Sequence, residues 1–259
     1  MNLFNFDYGA FIGFTLVFVR MGGLLLTMPV LGATTVPTQA RIGLVAITAY
    51  IVFSVAKLPP VDMGMPMGRF TLMLAGELAI GLTIGFASQL IFTAVQFAGQ
   101  LIGFQIGFGI VNVLDPTTNS QVSITSQFWN IVALLVFLAI NGHHWLITAA
   151  AKSFDLIPVL GFTPHAGLVD LVTTLTADVF VLAIKLAAPV MATMLLLNVA
   201  LGLIARTVPQ MNVFIVGFPV QIALGLFMIG AGLPVFYYVF RGSVFHLFEN
   251  VIGLMKLMA

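Results

Sequence analysis

Hydrophobic positions occur in long blocks along this chain, parted by short connections rich in Pro, Gly, Thr and Asn. Six blocks stand out: Tyr8 to Leu31, Ile42 to Ala56, Phe70 to about Gly109, Val122 to about Ile140, Leu168 to Ala205, and Met211 to Phe240. "GATTVPTQAR" follows the first, "KLPPVDMGMPMGR" the second, and "RTVPQMN" parts the last two, all with the punctuation of connections rather than elements. The alternation of a membrane β-barrel, in segments of about ten residues, is absent, and no internal repeat is visible. The pattern predicts an all-α fold of about six long hydrophobic helical units, some of them kinked. The third block is too long for a simple crossing, since a straight helix of that length would reach roughly 60 Å. It is expected to bend, to divide in two, or to stand partly outside a bilayer.

Composition turns these blocks into a membrane-type protein. The chain has 259 residues, 61% of them hydrophobic and only 7% charged, where soluble domains carry about 25% charged residues. Mean hydropathy is +1.16. Leu78 to Leu114 and Pro116 to Ala151 contain no Asp, Glu, Lys or Arg, and each run exceeds the ~20 residues that cross a bilayer as a helix. The net charge of +1 and the absence of any basic cluster argue against a nucleic-acid binder. There is no cysteine, so disulfide and thiolate chemistry are excluded. "MNLFNFDYGAFIGF" lacks the basic start and cleavage site of a signal peptide, so the first block is expected to be retained. Lys and Arg are scattered singly and do not orient the chain.

Three groups of residues are candidates for function. Small residues recur in the third block, as Gly81-x3-Gly85 and Gly99-x3-Gly103-x3-Gly107. At about 100° per residue from Gln89, Gly85, Thr93, Gln96, Gln100, Gly103 and Gly107 all fall within roughly 40° of it. This stripe combines close backbone approach with amides that need partners away from water, and so predicts a packed seam. Such a seam lies within the chain, against other subunits, or along a conduit. Charges inside apolar blocks cost ~2.5–3.5 kcal/mol each at a helix centre and are expected to be buried and paired. These are Arg20, Glu77, Asp178 and Lys185, with Arg206 just past the end of its block. The third group, "NGHH" (Asn141 to His144), places adjacent histidines without the i, i+4 spacing of a metal pair and reads as the end of a span. No G-x-S-x-G, aligned nucleophile or nucleotide-binding glycine pattern occurs, Ser153 having only generic neighbours, and nothing points to an enzyme, a metal or a cofactor.

Several stretches together resemble one family, the FliR/SctT-type export-gate components of bacterial flagellar and type III secretion systems. They are "MPVLGATTVPTQAR" (Met28 to Arg41), "GELAIGLTIGF" (Gly76 to Phe86) and "QFAGQLIGFQIGFGIVNVLDP" (Gln96 to Pro116). "FLAINGHHWLI" (Phe137 to Ile147), "SFDLIP" (Ser153 to Pro158) and "NVALGLIARTVPQMNVFIVGFPVQIALG" (Asn198 to Gly225) complete the set. The "LDPTTNSQVS" and "NGHH" wording is similar to the flagellar rather than the injectisome branch.

The resemblance implies a non-enzymatic gate subunit that assembles with FliP and FliQ around a conduit for unfolded flagellar axial proteins. FlhB and FlhA are implied as further partners, and the bacterial inner membrane and flagellar basal body as the location. It implies a FliP-like part over about 1–165 and a FliQ-like hairpin over about 166–259. It also implies that the loop at about 107–119 plugs the pore. Gly107, Phe108, Gly109, Ile110, Val111, Asn112, Val113, Leu114, Asp115 and Pro116 would form that plug, with Gly85, Gln89, Gln96, Gly99, Gln100 and Gly103 as a subunit seam. The residues alone leave two rivals: an ion-coupled secondary transporter using Arg20, Glu77, Asp178 and Lys185, and a membrane hydrolase using His143 or His144.

Overall fold

Long apolar segments can satisfy their backbone N–H and C=O groups internally only as helices or closed barrels. In the computed structural model they do so as helices. The structure describes residues 8–29, 32, 36–55, 66–108, 123–158, 161–163, 165, 167–208, 210 and 212–259, and contains no strand among them. The helices are α1 (Tyr8–Thr27), α2 (Thr38–Val55), α3 (Met67–Ile106), α4 (Ile124–Ala139), α5 (Gly142–Leu156), α6 (Gly167–Thr207) and α7 (Val213–Met258). By length and composition α1, α2, α3, α6 and α7 can each cross a membrane, and α4 with α5 form a further candidate. The chain is thus an all-helical, membrane-type protein.

Three features differ from the hydropathy pattern. α3 is one helix of 40 residues that its glycines do not interrupt. α5 is an additional helix that begins in "GHH" after Asn141, whose left-handed backbone (φ 57°) breaks the chain from α4. It escaped the pattern because it is two-faced: Leu146, Ala150, Ser153 and Phe154 are buried while Lys152 and Asp155 are exposed. α7 continues well beyond Phe240 for the same reason. Arg241, His246 and Glu249 interrupt the hydropathy but stay exposed, while Val244, Leu247 and Val251 are buried.

The chain packs as two units, each discontinuous in sequence. Unit 1 takes its residues from positions up to Leu90, from Asn141–Leu175 and from Phe245–Ala259; unit 2 comprises Ile91–Ile140 and Thr176–Val244. α3, α6 and α7 each contribute a part to both.

In unit 1, α1 is the central element, with Leu16, Val17, Met21 and Leu24 almost fully buried, as is Met28 just past its end. α2 covers it through Val45, Ala49 and Val52, with Phe14 and Phe53 edge to face at 5.9 Å. α3 approaches α1 at glycines. Gly23 lies against the backbone of Leu78 and Leu82, and Gly81 against the Arg20 carbonyl and Leu24 N–H. Gly85 lies against Thr27 and the Leu24 carbonyl. The linker after α5 caps the end of α7: Thr163 N–H donates to the Met258 carbonyl (3.0 Å) and His165 N–H to that of Leu257 (3.2 Å). These bonds satisfy carbonyls that a helix end leaves without partners.

Unit 2 has an aromatic core. Phe92 packs edge to face on Phe137 (5.5 Å) and Phe240 (5.9 Å), and Trp129 lies against Phe236 (4.5 Å). Gly225 of α7 meets the side chain of Ile106 at the end of α3.

Gly81→Ala would drive a Cβ into the Arg20 carbonyl, whereas a Cβ at Gly43 of α2 meets nothing within 4 Å. Thermal unfolding in detergent should show Gly81→Ala destabilised by ~1–3 kcal/mol and Gly43→Ala unchanged or stabilised by up to ~1 kcal/mol. Equal behaviour of the two would refute the close α1–α3 crossing.

Candidate functional site

Among the described residues two polar constructions stand out in the apolar packing, one in each unit. In unit 1 the Arg20 guanidinium is fully buried and forms an ion pair with Glu77, itself 2% exposed. Nε donates to Glu77, Nη1 to Ser153 Oγ (2.9 Å) and Nη2 to the Ile157 carbonyl (3.1 Å). The Phe154 ring lies 3.9 Å from the guanidinium carbon, within the range of a cation–π contact. Ser153 Oγ in turn donates to the Ala150 carbonyl (2.6 Å). One side chain of α1 thereby holds α3, the end of α5 and the turn that follows it. Ser153, Phe154 and Ile157 were not legible as its partners from sequence, because they lie more than 130 positions away.

In unit 2 the second half of α3 is clasped to the start of α4. Gly99 lies against the backbone of Thr125 and Ser126, and Gly103 against the hydroxyls of Thr125 and Ser123. Thr125 Oγ1 donates to the Gly99 carbonyl (2.8 Å), Ser126 Oγ to the Gln96 carbonyl, and Gln96 Nε2 to Asn130 Oδ1 (3.2 Å). Ser123 caps α4 by accepting from Ser126 N–H (3.4 Å). α3 ends on Gly107, whose φ of 96° suits glycine. Gly107 N–H donates to the Phe104 carbonyl (3.2 Å) and Phe108 N–H to that of Gly103 (3.0 Å), the pair of bonds that defines a Schellman ending. The clasp therefore fixes both chain ends that bound positions 109–122. Of the expected plug only Gly107 and Phe108 are described, while Gly109 to Pro116 lie outside the described residues. A Cβ on Gly107 would sit 3.6 Å from the Phe218 ring.

The stripe on α3 divides by residue type. Gly85, Gly99 and Gly103 are buried against the chain's own helices, whereas Gln89, Gln96 and Gln100 are exposed. With Gly99 at its edge the stripe is roughly 120° wide and spans both the contact and its rim, and the smaller residues take the contact. The expectation of buried, paired charges also divides. Arg20 and Glu77 are buried, but Asp178, Lys185 and Arg206 are exposed, with no ion pair to them among the described residues. Asp178 and Lys185 share a face of α6 but stand about 10 Å apart along its axis, too far to pair.

His143 and His144 have ring centroids 4.1 Å apart at the start of α5. No three His, Cys, Asp or Glu residues come together as a metal site among the described residues.

The family model described as bacterial export proteins, family 1, matches residues 11–247. The chain belongs to this family. The relatives agree along its length. The flagellar biosynthetic protein FliR of Bacillus subtilis is 37% identical over 241 residues, 92% of this chain and 92% of its own. That of Escherichia coli is 31% identical over 238 residues, covering 92% and 88%, and that of Aquifex aeolicus 31% over 219 residues, covering 85% and 84%. The match of the bacterial export family spans the Arg20 cluster and the α3–α4 clasp alike.

Removing one partner of a buried ion pair strands the other and costs roughly 3–5 kcal/mol, whereas replacing both with apolar residues is far milder. Arg20→Met and Glu77→Leu should each lower stability by about that amount, and the double variant by much less than their sum. Additive losses in a thermal-unfolding cycle would show that the two side chains do not act as a pair.

Proposed function

We propose that the chain is a non-enzymatic core subunit of the flagellar type III protein export gate. In this reading it assembles with FliP and FliQ around a conduit for unfolded flagellar axial proteins. The observation that carries the proposal is the similarity over 92% of both chains to a relative named as a flagellar biosynthetic protein, within a family of export proteins. The exposed apolar side chains of α2, α6 and α7, such as Tyr50, Leu196 and Phe227, support a subunit completed by lipid and by other apolar chains.

In this proposal residues 1–165 form a FliP-like part and 166–259 a FliQ-like hairpin. The exposed amides Gln89, Gln96 and Gln100 face other subunits or the conduit. FlhB and FlhA act as further partners in the inner membrane at the flagellar basal body. The loop of about 107–119 closes the pore. The Schellman ending at Gly107 and the Ser123 cap support that role, since they anchor both ends of the loop to a clasped helix pair and leave closure to the residues between. A closure that must yield to a polypeptide suits a loop of low local stability better than a helix.

Deleting residues 110–119 spares both anchors. Membranes carrying the variant should become permeable to small ions while the variant still co-purifies with FliP and FliQ. Wild-type permeability of an assembled complex would refute the plug.

A further inference from the structure

Neutral amides recur along one exposed strip of unit 2. Gln96 of α3 donates through Nε2 to Asn130 Oδ1 of α4 (3.2 Å), and Gln221 of α7 donates through Nε2 to Asn198 Oδ1 of α6 (2.7 Å). The two pairs are built alike, each joining consecutive helices at an exposed position. α3 connects them. Gln96 and Gln100 lie within about 20° of the line down α3 that passes through Gly107, and Gln96 stands roughly 16 Å along the axis from Gly107. The second pair meets the end of that line, since a Cβ on Gly107 would sit 3.9 Å from Gln221 Oε1. Gln100 is exposed between the pairs, and Phe104, one turn further on, is 68% exposed. No Asp, Glu, Lys or Arg occurs on α4, or on α3 after Glu77.

Each bond uses one N–H of a glutamine and the oxygen of an asparagine. The glutamine oxygen and the asparagine N–H groups remain to serve a further partner. One acceptor and one donor side by side match a peptide group, which presents an N–H and a C=O. A helix has already satisfied its backbone within itself and meets such a pair only with side chains. An extended chain carries both groups along its whole length. Hydration alone asks for no pairing, whereas each pair holds two side chains in one arrangement at a cost in side-chain entropy that a bound partner offsets. The neutrality of the strip on α3 and α4 selects neither acidic nor basic sequences.

We infer that the Gln96–Asn130 pair, Gln100 and the Gln221–Asn198 pair form a track that binds the backbone of an extended, unfolded polypeptide. The roughly 16 Å from Gln96 to Gly107 spans about five residues of such a chain at about 3.3 Å each. Amides hold its peptide groups, and Phe104 offers an apolar footing to its side chains, so binding is independent of sequence. The inference rests on the reading of the chain as a gate subunit and names the chemistry by which one of its surfaces meets the cargo. It does not depend on the plug.

The test uses the full chain in its native membrane complex, with photoreactive benzoyl-phenylalanine in place of Gln100. An exported protein is held in transit by a folded domain fused to its end. Co-purification of the held protein with the complex tests the gate reading by itself, and its absence would remove that reading and this inference together. The expected adduct is the held protein, formed equally with a second exported protein of unrelated sequence. A held protein that co-purifies but gives no adduct overturns the inference and leaves the gate reading standing. So do adducts only with another chain of the complex or with lipid, or an adduct confined to one of the two exported proteins. In parallel, Gln100→Leu and Gln221→Leu keep the bulk and remove the amides. Each should lower the export rate about threefold to tenfold, the effect of one hydrogen bond, with the yield of purified complex unchanged. Loss of complex would assign the amides to contacts between subunits, and full export by both variants would exclude them from transit; either result overturns the inference.

Discussion

A guanidinium withdrawn from solvent is the demand around which unit 1 is organised. Arg20 has five donors in a rigid plane, and the unit answers with a carboxylate, a hydroxyl, a carbonyl and an aromatic face drawn from α3, α5 and the turn after it. Lysine carries a compact charge without that planar fork and could not spread its donors over the same acceptors while stacking on the ring. The arrangement depends on how closely α1 and α3 approach, which Gly23, Gly81 and Gly85 permit by presenting bare backbone. The glycines and the ion pair are thus one construction. Without the close crossing Glu77 would not meet Arg20, and without the pair the crossing would enclose a stranded charge.

Unit 2 meets the same difficulty, polar groups in apolar surroundings, with neutral ones. Thr125 and Ser126 direct their hydroxyls at the Gly99 and Gln96 carbonyls, across the gap that Gly99 and Gly103 leave. Short hydroxyl side chains suit such a gap because they donate without filling it. This clasp holds the end of α3 and the start of α4 together however positions 109–122 are arranged.

The extent of α3 was legible in the sequence as one long apolar block, but its continuity was not, because its length and its glycines suggested a bend or a division that the helix does not show. The α1 and α2 blocks were legible as apolar runs parted by connections, each to within about one helical turn at its ends. α5 was not, because hydropathy averages its two faces and the polar "NGHH" reads as an ending. Arg20 and Glu77 were recognisable as unusual, yet not their shared acceptors, since no local pattern announces that Ser153 and the Ile157 carbonyl will meet a residue near the N-terminus. Asp178 and Lys185 misled in the opposite sense. Isolated charges in apolar sequence suggest internal pairing, but a single chain read alone does not reveal which of its faces the fold leaves uncovered.

Proline inside a helix removes one donor from the ladder and releases the carbonyl four residues before it. Pro189 in α6 and Pro219 and Pro234 in α7 therefore release the carbonyls of Lys185, Ile215 and Gly230, at three exposed positions of α6 and α7. In hydrocarbon an acceptor without a donor is expensive. Each such carbonyl can be met by a shift of the local helix, by a hydroxyl or by water. The prolines thus loosen the ladder of α6 and α7 at three heights, where an acceptor can turn to a partner other than its own helix.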